Sequence, residues 1–451
     1  MLRRGEVEGR WDVNFLRLSG LLQEKFQQTS FPLVKFGSCI HFIQYGISTL
    51  ATKEESGLPM IRMNNLQDDK IDTSNLKFIE LPDSEAQKYV LQKGDILFNR
   101  TNSKELVGKC AVFEEDGNWV FASYLIRVSV DTKKLLPKFV VSFLASSLGR
   151  LQIDCISRQI IGMTNINAEE IKILQIPLPS IELQQAVINR VEAAHAAKRA
   201  KEAEAHALLE SIDGYVLSEL GITLPDEERE TVFRVPFSRV RGGRLDPSFY
   251  QQMGVLHSLL FPNILLATAA YINPPTLFYS MEKEVELSFV PMEVIDERYA
   301  QIVEERKRNM AEAKGYTRFQ EDDLLWAKIT PCMQNGKSAI ARNLSNGYGF
   351  GSTEFHVIRA KENVSIDFLH CLLHLHIVRR SAMLDFAGSS GHQRVSSNFI
   401  EQLSIPLPPL AVQERIATEA HARRESAKAL EREASEILAA AKAEVERMIL
   451  G

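Results

Sequence analysis

The chain has 451 residues, room for two to four domains at ~100–200 residues each. Its 45% hydrophobic and 25% charged residues suit a globular protein. No stretch approaches the ~18 consecutive apolar residues of a membrane span, and no apolar segment follows Arg3 and Arg4 as a secretory signal would require. The net charge of −5 speaks against a uniformly basic nucleic-acid binder. The acidity is local, however: residues 181–231 carry 5 basic and 11 acidic side chains, whereas residues 1–180 carry 22 and 21.

The sequence repeats itself at an offset of about 229 residues, and such self-similarity sets the architecture before any single motif does. In chain order, Gly9-Arg10-Trp11-Asp12 matches Gly243-Arg244-Leu245-Asp246. Gly94-Asp95-Ile96-Leu97-Phe98 matches Asp322-Asp323-Leu324-Leu325-Trp326. Val107-Gly108-Lys109-Cys110-Ala111-Val112 matches Asn335-Gly336-Lys337-Ser338-Ala339-Ile340. Gln175-Ile176-Pro177-Leu178-Pro179 matches Ser404-Ile405-Pro406-Leu407-Pro408, with Gln184 and Gln413 at the same distance beyond. Residues 41–90 and 267–318 have little in common. A shared framework with divergent inserts suits one mechanical task applied to two targets.

Residues 95–98 are a short apolar run after a Lys-Gly turn signal and predict a strand. Residues 111–121, with Gly117-Asn118 in the middle, predict a hairpin, as do residues 338–350 around Asn346-Gly347. Amphipathic helices are expected over about 137–151 and 366–383. The Ile-Pro-Leu-Pro segments must be extended, because proline lacks an N–H and restricts the residue before it. Beyond them, 181–220 and 411–450 lack proline and are rich in Ala, Glu, Lys, Arg and Leu. They predict two helices of ~40 residues, ~60 Å each at 1.5 Å per residue.

Both helices carry apolar residues at alternating spacings of four and three, notably Val187, Val191, Leu208 and Ile212 in the first and Ile416, Leu430 and Ile437 in the second. Such a seam packs against another helix, and the natural partner is the other rod, antiparallel. The fold class expected is α+β: two mixed reader domains (1–180 and 232–404), each followed by a long helix (181–231 with its linker, and 405–451).

Catalytic motifs are missing. The cysteines Cys39, Cys110, Cys155, Cys332 and Cys371 form no metal or disulfide pattern. Neither Gly108-Lys109-Cys110 nor Gly336-Lys337-Ser338 has the preceding glycine of a phosphate loop. Pro82-Asp83 lacks the spacing of a nuclease, and His356, His370 and His374 suit structural roles. Asn273-Pro274-Pro275-Thr276 resembles the Asn-Pro-Pro-aromatic loop of amino-methyltransferases, but a threonine stands where the ring would stack on a base. A stand-alone DNA adenine methyltransferase is one alternative reading, and a helical protein-interaction scaffold is another.

Polar loops remain as candidate readers. Arg62, Asn64 and Asn65 follow an apolar step. Asn99, Arg100, Thr101, Asn102 and Lys104 follow the 95–98 strand; Lys328, Thr330, Gln334 and Asn335 are their counterparts. Thr164 and Asn165 precede the first Pro pair; His392, Gln393 and Arg394 precede the second. Arg and Lys read guanine, Asn and Gln read adenine, and hydroxyls hold phosphate.

With these residues together, the chain resembles the specificity subunits of Type I restriction–modification enzymes. The resemblance rests on the 94–98 block with Val107-Gly108-Lys109, on Gly162-Met163-Thr164-Asn165 leading to Ile176-Pro177-Leu178-Pro179 and Gln184, and on their second-half counterparts. It implies two domains that each read half of a bipartite site in double-stranded DNA, and paired helices that set the gap. It implies two methyltransferase subunits bound to this chain, with restriction and translocase subunits as further partners. S-adenosylmethionine, ATP and magnesium would then belong to those partners, with no cofactor, metal or catalytic residue here, no membrane, and a cytoplasmic location. Asp322-Asp323 and Pro331 depart from the first copy.

Overall fold

The computed structural model describes residues 13–49, 51–103, 106–160, 163–224, 256–278, 282–386 and 393–450. The repeat pair at 9–12 and 243–246, Gly162, Lys104 and His392 lie outside them. The chain forms two compact units, Met1–Glu202 with Glu431–Gly451, and Ala203–Leu430. The long helices are therefore not separate domains, as the sequence division suggested. Each is shared, one portion belonging to each unit.

Both units contain a four-stranded sheet with the same order. In the first it runs Ile40–Tyr45, Leu125–Val130, Ile96–Asn99, Cys110–Val112. In the second it runs Ala270–Ile272, Phe355–Ala360, Leu324–Ala327, Ser338–Ile340. The central strands Ile96–Asn99 and Leu324–Ala327 are buried along their whole length, which is why they read as unbroken apolar runs. Asp95 and Asp323, just before them, accept from the backbone N–H of Gln92 and Gln320. Each also pairs with an arginine of the neighbouring strand, Arg127 at 2.7 Å and Arg359 at 2.7 Å. The Asp322 variant is accommodated without a change of geometry. Gly94 has φ 93° and Asp322 has φ 62°, and Asp is among the residues that tolerate this region.

The two expected hairpins do not form. Cys110–Val112 pairs with Ile96–Asn99, but Val120–Phe121 crosses over and lies parallel to Leu58–Ile61. Ser338–Ile340 and Tyr348–Gly351 diverge in the same way, the latter joining Glu286–Val290 in parallel. The turn residues are present, with Gly117, Asn346 and Gly347 at positive φ, but a turn fixes only the chain direction. Each strand pairs where its apolar face finds cover. The sequence also hid a shared feature of the divergent inserts. Residues 63–71 and 292–302 both form a 3-10 turn followed by a two-stranded hairpin.

Each expected amphipathic helix is two. Pro137–Leu144 is followed by Ser147–Ile156, and Ile366–His374 by His376–Met383. Ser146 ends the first run by capping the second, its hydroxyl accepting from Gly149 N. The Pro pairs are extended as expected: Gln175–Pro177 lies antiparallel to Leu33–Lys35, and Ser404–Pro406 to Asn263–Leu265.

From there run the long helices Ile181–Glu219 and Leu410–Leu450. They pair antiparallel within each unit. In the first unit Val187 and Val191 share a core with Val445 and Ile449. Arg190 meets Glu444 at 2.6 Å and Lys201 meets Glu433 at 2.9 Å. In the second unit Ile212 and Val216 pack with Ile416 and Ala420. Arg423 donates to Ser211 Oγ at 2.9 Å, and Arg415 meets Glu219 at 2.6 Å. Leu208 and Leu430 flank a small cluster of Ala205, Ala427 and Tyr299. Ile437 is only half-buried. The buried line of the second helix runs through Ala420, Ala427, Ala434 and Ala441, which fall on the same four-three spacing as Ile416 and Leu430. These recur every seven residues, and their small side chains let a neighbouring backbone come close.

One glutamine ties each helix to its reader. Gln184 accepts from Leu136 N (2.9 Å) and donates to Lys134 O (2.9 Å) and Pro179 O (3.0 Å). Gln413 accepts from Ser365 N and donates to Asn363 O and Pro408 O. Gln184→Ala leaves these buried groups unsatisfied and should destabilise the first unit by ~2–4 kcal/mol. Gln413→Ala should do the same to the second. Hydrogen exchange, resolved by unit, checks this, and unchanged protection would mean that water replaces the amide fully.

Candidate nucleic-acid interface

In both units the fold joins the loop after the central strand to the loop before the Pro pair. In the first unit Thr101–Asn102 lies antiparallel to Met163–Asn165, which pairs with Arg158–Ile160. Ile166 N donates to Arg100 O at 2.9 Å. In the second, Val395 N donates to Lys328 O at 2.9 Å and Thr330 N to Gln393 O at 3.0 Å. Arg100 and Lys328 thus occupy equivalent positions, each the first residue beyond a buried strand. Two short capped helices hold the second loop of each pair. Asn167 caps Ala168–Lys172 with Glu170 completing a capping box, and Ser396 caps Ser397–Gln402.

Arg100 is half-buried, with its guanidinium 4.9 Å from the centre of the exposed Tyr45 ring. Thr101 Oγ1 donates to Asn165 Oδ1 at 2.6 Å, so these two residues orient each other. Asn102 contributes its backbone, opposite Thr164. Lys328 lines an open cleft with Arg318, Tyr316, Asn273 and Arg394. Arg394 is held by Glu354 through two bonds of 2.8 and 2.7 Å, and this pairing pulls the Glu354 carboxyl below its usual range. Gln334 accepts from Thr330 Oγ1 at 3.0 Å, and the exposed Asn335 reaches Glu297 at 3.2 Å. Asn64 is exposed, while Arg62 donates to Asn75 O at 3.0 Å.

Three candidates are not placed to meet a ligand. Asn65, Asn99 and Thr164 are each 2% exposed. Asn65 accepts from Arg62 N and donates to Asp72 O and Asn75 O, closing the insert loop. Asn99 donates to Leu106 O, and Thr164 sits in the middle strand of its small sheet. The amides of Asn65 and Asn99 serve backbone groups that would otherwise lack partners. The sequence reading also missed residues beside these loops: Tyr45 and Tyr124, both exposed, and Arg318, whose guanidinium lies 4.8 Å from the Phe278 ring centre. An aromatic at a strand end carries no sequence signal that distinguishes it from core.

Asn273-Pro274-Pro275-Thr276 lies in the cleft, but its polar atoms are engaged in the fold. Asn273 Oδ1 accepts from Val357 N at 3.0 Å, and its Nδ2 donates to His356 Nδ1 at 3.1 Å. Buried Thr276 accepts from Arg359 at 2.9 Å. The amide that would hold a target amine is already used, which disfavours the methyltransferase reading. The Gly-Lys motifs are structural too. Gly108 and Gly336 have φ 77° and 88°, and a Cβ on them would strike Ile153 or His374. Among the described residues no group of three His, Cys, Asp or Glu could hold a metal ion, and no single helix is long and apolar enough to cross a membrane.

Comparison with known proteins places this geometry. A family model described as the Type I restriction modification DNA specificity domain matches residues 46–205 and again residues 289–422. The chain belongs to that family, with one copy of the domain in each half. Over 154 residues it is 40% identical to the Type I restriction enzyme EcoAI specificity subunit of Escherichia coli, covering 34% of this chain and 26% of that protein. Over 184 residues it is 29% identical to the EcoKI specificity subunit of Escherichia coli strain K12, covering 39% of each. The aligned stretches thus span well under two thirds of these relatives. A solved chain described under "Structural basis underlying complex assembly and conformational transition of the type I R-M system" has the same fold, with a TM-score of 0.52 at 14% identity over 93% of this chain and 96% of that one.

Burial depresses the basicity of three histidines in the second unit. His356 donates through Nε2 to Val395 O and accepts at Nδ1 from Asn273, an arrangement that requires the neutral ring. His370 is pushed down to about 3, and His374 lies well below its usual value. A folded-state value below the unfolded ~6.5 means that the unfolded chain takes up protons first as pH falls. Stability of this unit should therefore drop below pH ~6.5, by up to ~1.4 kcal/mol per pH unit for each such histidine. Hydrogen exchange between pH 7.5 and 5 measures it, after correction for the intrinsic exchange rate. A flat profile in the second unit contradicts the assignment.

Proposed function

We propose that the chain is the DNA-recognition subunit of a Type I restriction–modification complex, without catalytic activity of its own. One observation carries the reading: a family DNA-specificity domain present twice, each copy presenting the same pair of joined loops at the end of its central strand. Two different loop sets on one framework suit a bipartite target, one half-site per unit. Two methyltransferase subunits would supply S-adenosylmethionine chemistry. Restriction and translocase subunits would bring ATP and magnesium, and the complex would act on double-stranded DNA in the cytoplasm.

Arg100 and Lys328 are the best-placed readers, being equivalent in position and basic in both copies. The near-neutral charge of the reader segments means that partner subunits share in neutralising phosphate. Co-expression with adjacent-gene methyltransferase subunits, followed by methylation-sensitive sequencing, tests the function directly. The expected result is one discontinuous methylated sequence, and no methylation of such a sequence would sink the proposal.

Arg100→Ala should weaken binding by ~1–3 kcal/mol and relax one half-site only, measured by competition titration with oligonucleotides varied at each half-site. Equal loss on every sequence would make Arg100 a phosphate contact. We further propose that the helices set the gap between half-sites. A heptad added between Val187 and Ile212, with a matching one between Ile416 and Ala441, adds ~10 Å of helix. It should lengthen the gap by about three base pairs, at 3.4 Å per step, in the methylated site. An unchanged gap rules out the spacer role.

A further inference from the structure

Two cavities occupy equivalent places in the two units. The first is lined by Val112 and Glu114 at the end of the edge strand, Lys138 and Ser142 on the following helix, and Glu192 and His195 on the long helix. The second is lined by Ile340, Arg342, Asp367, Cys371, His421 and Arg424, the counterpart of each residue in turn. A turn of the insert hairpin closes both, at Asp69 and at Tyr299.

The charges are inverted between them. Lys138 pairs with Glu114 at 2.7 Å, and Arg342 pairs with Asp367 at 2.6 Å. The same interaction is kept with its signs exchanged. The next position breaks that symmetry. In the first cavity it is His195, which burial keeps toward the neutral form. In the second it is Arg424, 7% exposed and permanently charged.

Among the described residues no carboxylate forms an ion pair with Arg424. The acids of its cavity are engaged elsewhere, Asp367 by Arg342 and Glu425 by Lys428 at 2.6 Å. Apart from those engaged pairs it meets the thiol of Cys371, which burial holds protonated and to which it is hydrogen-bonded, and the imidazoles of His370 and His374, which burial and then its charge keep neutral. A buried guanidinium without a counter-charge is unfavourable unless an anion meets it.

We propose that the cavity of the second unit binds a small oxyanion of the phosphate class, gripped by Arg424 with Lys428 and His421 at its edge. The planar guanidinium fork matches two oxygens of such an anion. Burial of Arg424 inside the cavity favours a free anion over the backbone of a duplex. The first cavity carries Asp69, Glu114, Glu115 and Glu192 against Lys70 and Lys138, an acidic excess that would repel the same ligand, so the site belongs to one unit and is independent of the half-site reading.

The test uses the full chain with inorganic phosphate. At equal ionic strength, phosphate should raise the thermal midpoint above that in chloride and broaden the phosphorus-31 line. Arg424→Met should abolish both effects and Arg424→Lys should keep part of them. An Arg100→Ala, Lys328→Ala double variant should respond as the native chain does, separating the cavity from the interface loops. An unbroadened phosphorus line on the native chain overturns the proposal whether or not any variant folds. So does a full response from Arg424→Met, or loss of the response in the double variant.

Discussion

The rest of each unit depends on how a long helix is fastened to a small mixed sheet. A helix leaving a domain through a flexible linker could hold no geometry. Here the exit strand is paired, two prolines stiffen the step beyond it, and one buried glutamine bonds three backbone groups on either side of the junction. Each carbonyl or N–H it meets belongs to a loop that would otherwise need water. The same arrangement recurs at Gln413, on a different local sequence. A buried amide with both ends satisfied is a positional constraint as much as a stabilising contact.

Parts of the architecture dictated by local or periodic signals were legible in the sequence. The two long helices fall within a residue of where proline absence and apolar spacing put them. The central strands fall where short apolar runs follow a turn. What failed was non-local. The pieces around Gly117 and Gly347 have the composition of hairpins, but their second strands are claimed by inserts that lie far away in the chain. The four-three spacing of the second helix runs through the alanines that form much of its buried line, and also through Ile437, which is only half-buried. On a helix pair, close approach stabilises as effectively as bulk, and alanine gives no hydropathy signal that separates a contact from a helix-forming surface.

The candidate interface was half legible for a related reason. The sequence found the two loops in each unit, because both sit beside repeated framework blocks. It could not rank the polar residues within them. Asn65, Asn99 and Thr164 are the residue types that read bases, and also the types that satisfy turns and caps. Only burial separates the two roles: a side chain 2% exposed is part of the frame, as with Asn65 and Asn99, whose amides donate to backbone carbonyls. Arg100 and Lys328 differ because, among the described residues, no carboxylate forms an ion pair with either. Arg100 meets an aromatic face and one carbonyl at 3.4 Å, and Lys328 opens on a cleft.

Comparing the copies shows what this framework preserves. Identity has been lost at most positions, yet interactions persist: an aspartate bound to an arginine under the central sheet, a glutamine at the helix junction, an ion pair at the cavity rim. The rim pair Lys138–Glu114 and its counterpart Asp367–Arg342 have exchanged signs without losing contact. Such an exchange is neutral for packing and opposite for the field inside the cavity. Where a frame tolerates reversal, the charge at that place is not serving the frame. A position whose charge is reversed with its partner is therefore compensated, while one that has gained a charge alone, as Arg424 has relative to His195, is a demand on something outside the chain.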